Sequence, residues 1–288
     1  MNLPKRKVAV VTDSAAALTR DQIGEHDLFV ARMEITVDGN TLIDGADIEL
    51  GDFYSDLATS ETIPTTSAPK PAEYLEQIRR ASEIADSAFC ISVSAKLTAA
   101  YDAAIAGAEL FASEHPDKEL VVFDSEAAAS SQALIVLAAA RTAAAGGNLD
   151  EVEAAAKRVG SEVRLVAMLD TLRFIHRSGR VPKIAVWATS ALNIKPVMEY
   201  STNKIGAIAR PRSVSRAIDR IAKEMSNDLA GKAAHINVIH AGAPDRAEIL
   251  RSWADENLDC AELFVTQFHP FMGAHTGPGL VGASWWGE

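Results

Sequence analysis

The sequence predicts an α/β protein of two α/β domains, and three observations carry that prediction. Short apolar, β-branched runs alternate with helical patterns through the first half, the order expected of a mainly parallel sheet covered by helices. Two of those runs end alike: Val10-Val11-Thr12-Asp13-Ser14 leads into Ala15, Ala16 and Ala17, and Val121-Val122-Phe123-Asp124-Ser125 leads into Ala127, Ala128 and Ala129. The second half opens on a strand, pairs two more across a short turn and then resumes helix–strand alternation, which predicts a mixed α/β sheet domain. A chain of 288 residues accommodates two cores of ordinary size. A boundary near Gly160 gives an N-terminal domain over 1–160 and a C-terminal domain over 161–288.

Taken in order, strands are expected at residues 7–11, 29–37, 89–94 and 120–123, with helices near 51–59, 71–85, 97–113 and 126–145. Between them, Ile63-Pro64-Thr65-Thr66-Ser67-Ala68-Pro69 reads as a proline-bounded loop, neither helix nor strand. Gly146-Gly147-Asn148 supplies turn chemistry, and Asp150 and Glu151 then favour the start of a helix over 149–159. The second domain begins with a strand at 163–168. A hairpin follows, 194–200 with 205–209, across Ser201-Thr202-Asn203-Lys204. Helices near 214–229 and 244–257 then alternate with strands at 235–240 and 261–268, and the chain closes on a strand at 280–286.

The strand tips are the first candidates for chemistry. Asp and Ser at a strand end can accept from the free amides of the next helical turn. A third tip, Ile91-Ser92-Val93-Ser94 before Lys96-Leu97-Thr98, also ends in hydroxyls. Such carboxyl ends converge on one edge of an open sheet, where helix N-termini favour negative charge, so the pattern suggests an oxyanion site. Thr66 and Ser67 of the proline-bounded segment offer further hydroxyls. Each has a structural alternative: Thr66 and Ser67 as caps for the helix near Pro71, and Asp13 and Asp124 as N-caps rather than catalytic groups.

A second cluster, Asp170 to Arg180, holds three arginines, whose guanidinium forks suit an anionic head group. A solvated helix face accounts for any one of them, but Arg180 follows Gly179 and so leaves the helix. Lys195, in Asn193-Ile194-Lys195-Pro196, fits a surface charge at a strand start equally well. The third cluster is Gly273-Ala274-His275-Thr276-Gly277-Pro278-Gly279-Leu280-Val281-Gly282. Too little chain follows its Gly-x-Gly-x-x-Gly for a βαβ unit, so a dinucleotide site is rejected. The glycines suggest backbone packed close to a neighbour, with His275 either structural or directed at a partner.

The formal net charge of −11 argues against nucleic acid or an anionic membrane as a partner. Cys90 and Cys260 are far apart, which argues against a disulfide framework and for a reducing, cytoplasmic setting. The basic start, Lys5 to Lys7, precedes too short an apolar run for an export signal, and the apolar stretch 127–145 is interrupted by Ser130, Ser131, Gln132 and Arg141. No phosphate loop, His-Glu-x-x-His or nucleophile elbow occurs, and His269 and His275 lack the spacing and cysteines of a zinc site. No metal site, catalytic residue or cofactor is expected.

Together these landmarks resemble the DegV family of fatty-acid-binding proteins, in order and spacing along nearly the whole chain: Thr12-Asp13-Ser14, Pro64 to Pro69, Ser94-Ala95-Lys96-Leu97, Asp124-Ser125, Asp170 to Arg180, Asn193 to Pro196 and His275 to Gly279. The resemblance implies a two-domain α/β protein holding one long-chain fatty acid, its tail buried between sheet and helices. It further implies a carrier subunit that presents the carboxylate to a separate ATP-dependent fatty acid kinase serving phospholipid synthesis. On that basis Thr66 and Ser94 hydrogen-bond the carboxylate, with Ser67 and Ala95 beside them, Arg180 and His275 position it, and Arg212 faces the kinase. Three features depart from the family pattern. Leu97-Thr98-Ala99-Ala100-Tyr101 stands where the family usually has Leu-Ser-Gly-Thr-Tyr, Ala68 stands where it often has a glutamine, and Ala95 replaces the second serine of the tip, so that Ser94 alone has to supply that hydroxyl. Two other functions use the same residues. One is a serine hydrolase with Ser94 as nucleophile, His275 as base and Asp124 or Asp13 behind it. The other is a lipid-responsive sensor docking through Arg210, Arg212 and Arg216.

Overall fold

The structure, a computed structural model, describes residues 6–47, 50–181, 194–202 and 204–288. Asn193 and Asn203, named above in a motif and a turn, lie outside the described residues. The chain divides into two compact units, Met1–Glu34 with Ser67–Ser161, and Ile35–Thr66 with Glu162–Glu288.

Strand β1 (Arg6–Asp13) follows from Val8, Val10 and Val11, buried on both faces as a central parallel strand requires. After a tight turn at Ser14–Ala16 come α1 (Arg20–Glu25) and β2 (Phe29–Ala31). α1 buries no side chain; a capping box fixes its start, Thr19 and Gln22 each bonding the other's amide. The single strand expected over 29–37 is broken. Arg32 N donates to Glu73 Oε1 and Met33 N to Ser14 Oγ, so neither amide is left for a ladder. The chain resumes as β3 (Glu34–Val37), β4 (Asn40–Ile43), α2 (Leu50–Thr59) and β5 (Thr65–Ser67). β5 corrects the expectation of irregular chain there: it pairs at the edge of a small sheet of order β4-β3-β5, flanked rather than interrupted by Pro64 and Pro69.

The first unit continues with α3 (Pro71–Ile84), β6 (Ala85–Ser92), α4 (Ala100–Glu114), β7 (Glu119–Asp124), α5 (Ser130–Ala144) and α6 (Leu149–Glu162). Its sheet has the order β2-β1-β6-β7 and is parallel throughout. The order reverses between β1 and β6, which is the switch point of a doubly wound sheet. α3 and α4 close one face over Val11, Ala88 and Cys90, while α5 is almost wholly buried against β1. α4 and α5 start later than periodicity predicts. Lys96 N first bonds Ser94 Oγ, and Glu126 N and Ala127 N bond Asp124 Oδ1 and Ser125 Oγ, turns that hold the chain out of a helix.

The second unit adds β8 (Arg164–Met168), α7 (Arg173–Ser178), β9 (Val197–Ser201), β10 (Lys204–Ala209), α8 (Val214–Leu229), β11 (Ala234–His240), α9 (Pro244–Asn257), β12 (Cys260–Gln267), α10 (Pro270–Thr276) and β13 (Val281–Gly287). The expected hairpin is β9 with β10. The sheet runs β10-β9-β8-β13-β11-β12 and is mixed, because the final strand inserts antiparallel to both β8 and β11 while β11 and β12 are parallel. α8 lays Ile218, Ile221, Met225 and Leu229, spaced three or four residues apart, over Val166, Ile236 and Ala283. Each such burial contributes about 2 kcal/mol, so Ile221→Asp would undo this unit. Arg164 meets Glu199, Glu224 and Asp228 at the edge of that core.

Among the described residues, no helix is long and apolar enough to cross a membrane, and no group of His, Cys, Asp or Glu is arranged to hold a metal. Both cysteines are free thiols, Cys90 buried and Cys260 half-buried.

Candidate functional site

Three candidates from separate stretches of sequence meet in the second unit. β5 presents Thr66. α7 ends at Gly179, whose φ of 71° is the left-handed stop that lets Arg180 depart from the helix, as the sequence indicated. Arg180 then folds back, its amide on Ser178 Oγ at 3.2 Å and its guanidinium on Ser178 O at 2.8 Å. His275 lies in the last turn of α10 rather than in an open loop, because Pro270 begins a helix that runs to Thr276. Thr66 Oγ1 and His275 Nε2 are 2.9 Å apart and line a cleft of about 200 Å³ with Ile63, Pro64, Arg177 and Arg180.

The cleft is electrostatically unfinished. Burial, helped by the Arg180 charge, lowers the His275 pKa to about 4, so the ring is neutral at pH 7. Phe271 holds it edge-on with centroids 5.4 Å apart. Among the described residues, neither Arg180 nor Arg177 has a carboxylate partner. Two guanidiniums, a neutral imidazole and a hydroxyl thus face one small space, an arrangement that favours an anion able to accept several hydrogen bonds.

Long-range contacts within the unit hold these groups in place. Arg173 donates to the carbonyls of Ser60 (3.0 Å) and Glu61 (2.7 Å), tying the approach to β5 against α7. Asp44 Oδ1 accepts from Phe271 N at 2.9 Å and Tyr54 Oη donates to Phe268 O at 2.9 Å, fixing the start of α10. The close packing expected of the C-terminal glycines is present: a Cβ on Gly273 would lie 2.6 Å from Tyr54 Oη, and one on Gly277 would enter the Phe174 ring. Lys195 is not a free surface charge. It donates to Asp170 Oδ1 at 2.9 Å, and Arg246 donates to the same oxygen at 2.7 Å and to Gly279 O. Burial would raise the Asp170 pKa, but these two cations outweigh it and hold the carboxyl below its usual range. Sequence reasoning missed Asp44, Tyr54 and Arg246, whose partners are distant in the chain; Arg177 was within a recognised cluster but not singled out.

In the first unit the hydroxyl-bearing tips interlock. Asp13 is fully buried at the β1/β6 switch point and accepts from Val93 N (2.8 Å), Ala15 N (3.2 Å), Gln132 Nε2 (3.0 Å) and Tyr74 Oη (3.0 Å). Burial raises its pKa to about 6 against the pull of those bonds. Asp124 Oδ1 accepts from Ala95 N and Glu126 N. Both aspartates therefore cap their turns. Ser94 is fully buried; its amide donates to Ala127 O at 2.9 Å and its Oγ accepts from Lys96 N at 3.3 Å. Among the described residues nothing accepts its hydroxyl proton. Ala95 is exposed beside it, and Ser67 is exposed at the end of β5. Arg212 is exposed just before Ser213, which caps α8.

A parallel doubly wound unit, a mixed-sheet unit and a cationic, hydroxyl-lined cleft define a two-unit α/β protein equipped for an anionic ligand. The chain belongs to the DegV family, whose sequence profile, described as "Uncharacterised protein, DegV family", matches residues 7–288. A DegV domain-containing protein of Streptomyces coelicolor is 32% identical over 280 residues, covering 96% of this chain and 97% of the relative. Among solved structures, a fatty-acid-binding DegV family protein from Thermus thermophilus has a TM-score of 0.90 and 25% identity over 98% of this chain and 100% of that one. A stearic-acid-binding protein from Eubacterium ventriosum shares the fold at a TM-score of 0.88 and 21% identity, covering 97% and 98% of the two chains.

Proposed function

We propose that the protein binds one long-chain fatty acid, with its carboxylate at the Thr66–His275 pair and its tail buried in the second domain, 161–288. The observation that carries this is the cleft's charge: among the described residues Arg180 has no carboxylate partner, and it stands beside a histidine held neutral and hydrogen-bonded to Thr66. With the imidazole donating to Thr66 Oγ1, the threonine proton is free for a ligand oxygen and Arg180 balances the charge. Ser94, whose hydroxyl proton has no acceptor among the described residues, is the second proposed donor, with Ser67 and the exposed backbone at Ala95 as supporting contacts. The fatty-acid binding of the Thermus thermophilus relative supports the assignment. The tail supplies most of the affinity at about 0.8 kcal/mol per buried methylene, and the cleft offsets the cost of burying the carboxylate.

In this proposal the protein is a non-catalytic cytoplasmic carrier that presents the carboxylate to a separate ATP-dependent kinase, with Arg212 on the docking face. The hydrolase alternative is weakened because His275 has no carboxylate behind it among the described residues, and Asp13 and Asp124 are bonded within their own unit. To test the carrier proposal, protein purified without added lipid is denatured and its extract analysed by mass spectrometry. One fatty acid species near one per chain is expected; lipid-free protein that also takes up no added fatty acid overturns the proposal.

A further inference from the structure

A second, larger concavity in the same unit has a different character. Between Arg32 and Lys70 the chain carries eight carboxylates and no lysine, arginine or histidine, so most of the net charge of −11 is concentrated there. Within this stretch β3, β4 and α2 enclose a groove of about 510 Å³. Its floor is apolar: Val37 and Leu42 are half-buried, and Phe53 and Leu57 are 6% and 3% exposed. Asp38, Asp47, Asp52 and Asp56 stand exposed around it. Asp38 accepts from Thr62 Oγ1 and Asp47 from Ile43 N, but none of the four meets a cation among the described residues.

We propose that this groove is a protein docking site for a basic amphipathic segment, one that places an apolar side chain on the Phe53–Leu57 floor and lysines or arginines against the aspartate rim. Charge complementarity selects that occupant. An apolar floor alone would accept many hydrophobic segments, but four exposed carboxylates that meet no cation among the described residues repel acidic or phosphorylated ones and attract a cationic one. The helix-in-groove mode supplies the geometry, with anchors from one face of the segment and charges along its flanks. The site is connected to the cleft already described. Ile63 and Pro64 line both concavities, and α2 carries Tyr54, which fixes α10 and thereby His275. The proposal stands on the groove itself and holds whether or not the cleft takes a fatty acid.

The test uses a fluorescein-labelled helical peptide of leucine and lysine as probe, read by fluorescence anisotropy on the full chain. The comparison protein carries Asp38→Asn, Asp47→Asn, Asp52→Asn and Asp56→Asn, which keeps the acceptors for Thr62 and Ile43 and removes only charge. Saturable binding by the unaltered protein is expected, at least about tenfold weaker for the asparagine variant, as loss of four exposed ion pairs implies, and weaker as salt rises. A peptide with glutamate for lysine should not bind, and one with serine for leucine should bind at least about tenfold more weakly. Amide shifts on binding should fall at Val37, Leu42 and Phe53. Equal affinity for both proteins, or for the leucine and serine peptides, overturns the proposal. So does displacement of the peptide by equimolar calcium, which would identify a divalent-cation site instead.

Discussion

The strand tips of the first unit and the cleft of the second are built from the same side-chain types, hydroxyls beside one titratable group, yet they use their hydrogen-bonding capacity in opposite ways. At Asp13 four donors converge on one buried carboxylate, and the side-chain atom left without a partner beside it among the described residues is an acceptor, Gln132 Oε1. At His275 a single side-chain bond, to Thr66, is made among the described residues, and two guanidiniums stand there with no carboxylate partner. Saturation marks a brace, and unspent donors mark a candidate site. Ser94 belongs to the braced tip by its amide and to the unspent class by its hydroxyl.

The sharpest way to break that contrast is to remove the brace. Asp13→Ala removes the carboxylate acceptor from the buried Val93 amide and Tyr74 hydroxyl and leaves Gln132 Nε2 only Thr12 Oγ1, and is expected to cost about 3 kcal/mol or more, read as a lower midpoint in urea unfolding. A loss below about 1 kcal/mol would mean that the knot is not structural. Next, Thr66→Ala combined with Arg180→Gln should weaken fatty-acid binding about ten- to a hundredfold while leaving the urea midpoint nearly unchanged. If stability instead fell as far as in Asp13→Ala, the two regions would be the same kind of feature. The smallest effect is in pH dependence. His275 has a folded pKa of about 4, below its ordinary 6.5, so the unfolded chain takes up the proton first and stability falls on acidification from about pH 6.5 to 4. Asp13 has a folded pKa of about 6, above its ordinary 3.8, so its contribution is full at low pH and is lost as pH rises to about 6. The two slopes oppose each other between pH 4 and 6. Asp13→Asn should therefore make the ligand-free protein lose stability more steeply on acidification than the unaltered protein, compared by urea midpoints across that range.

What could be read from the sequence follows the range of the interactions. The Asp-Ser tips were legible as caps because Asp13 bonds Ala15 two residues on, and Arg180 was legible because Gly179 stops α7 immediately before it. The alternation of β1, α3, β6, α4 and β7 was likewise local periodicity. The break at Arg32 and Met33 was not, since it depends on Glu73 and Ser14. Nor was β5, a strand of three residues that exists only because β3 lies beside it. The cleft is the extreme case. Thr66 and His275 are 209 positions apart, and Asp44 and Phe271 are 227 apart, so spacing could nominate the first pair only through family resemblance and had no means to find the second.

One tether bears on how this protein can change over evolution. Arg173 holds Ser60 and Glu61 by their main-chain oxygens, so the grip is indifferent to which side chains occupy those positions. Position 61 is therefore open to substitution in size and charge while Thr66 keeps its place opposite His275, whereas Ser60 is also engaged through its hydroxyl, which bonds Thr62. The chain leading into β5 can thus change charge at that position from one descendant to the next without rebuilding the scaffold.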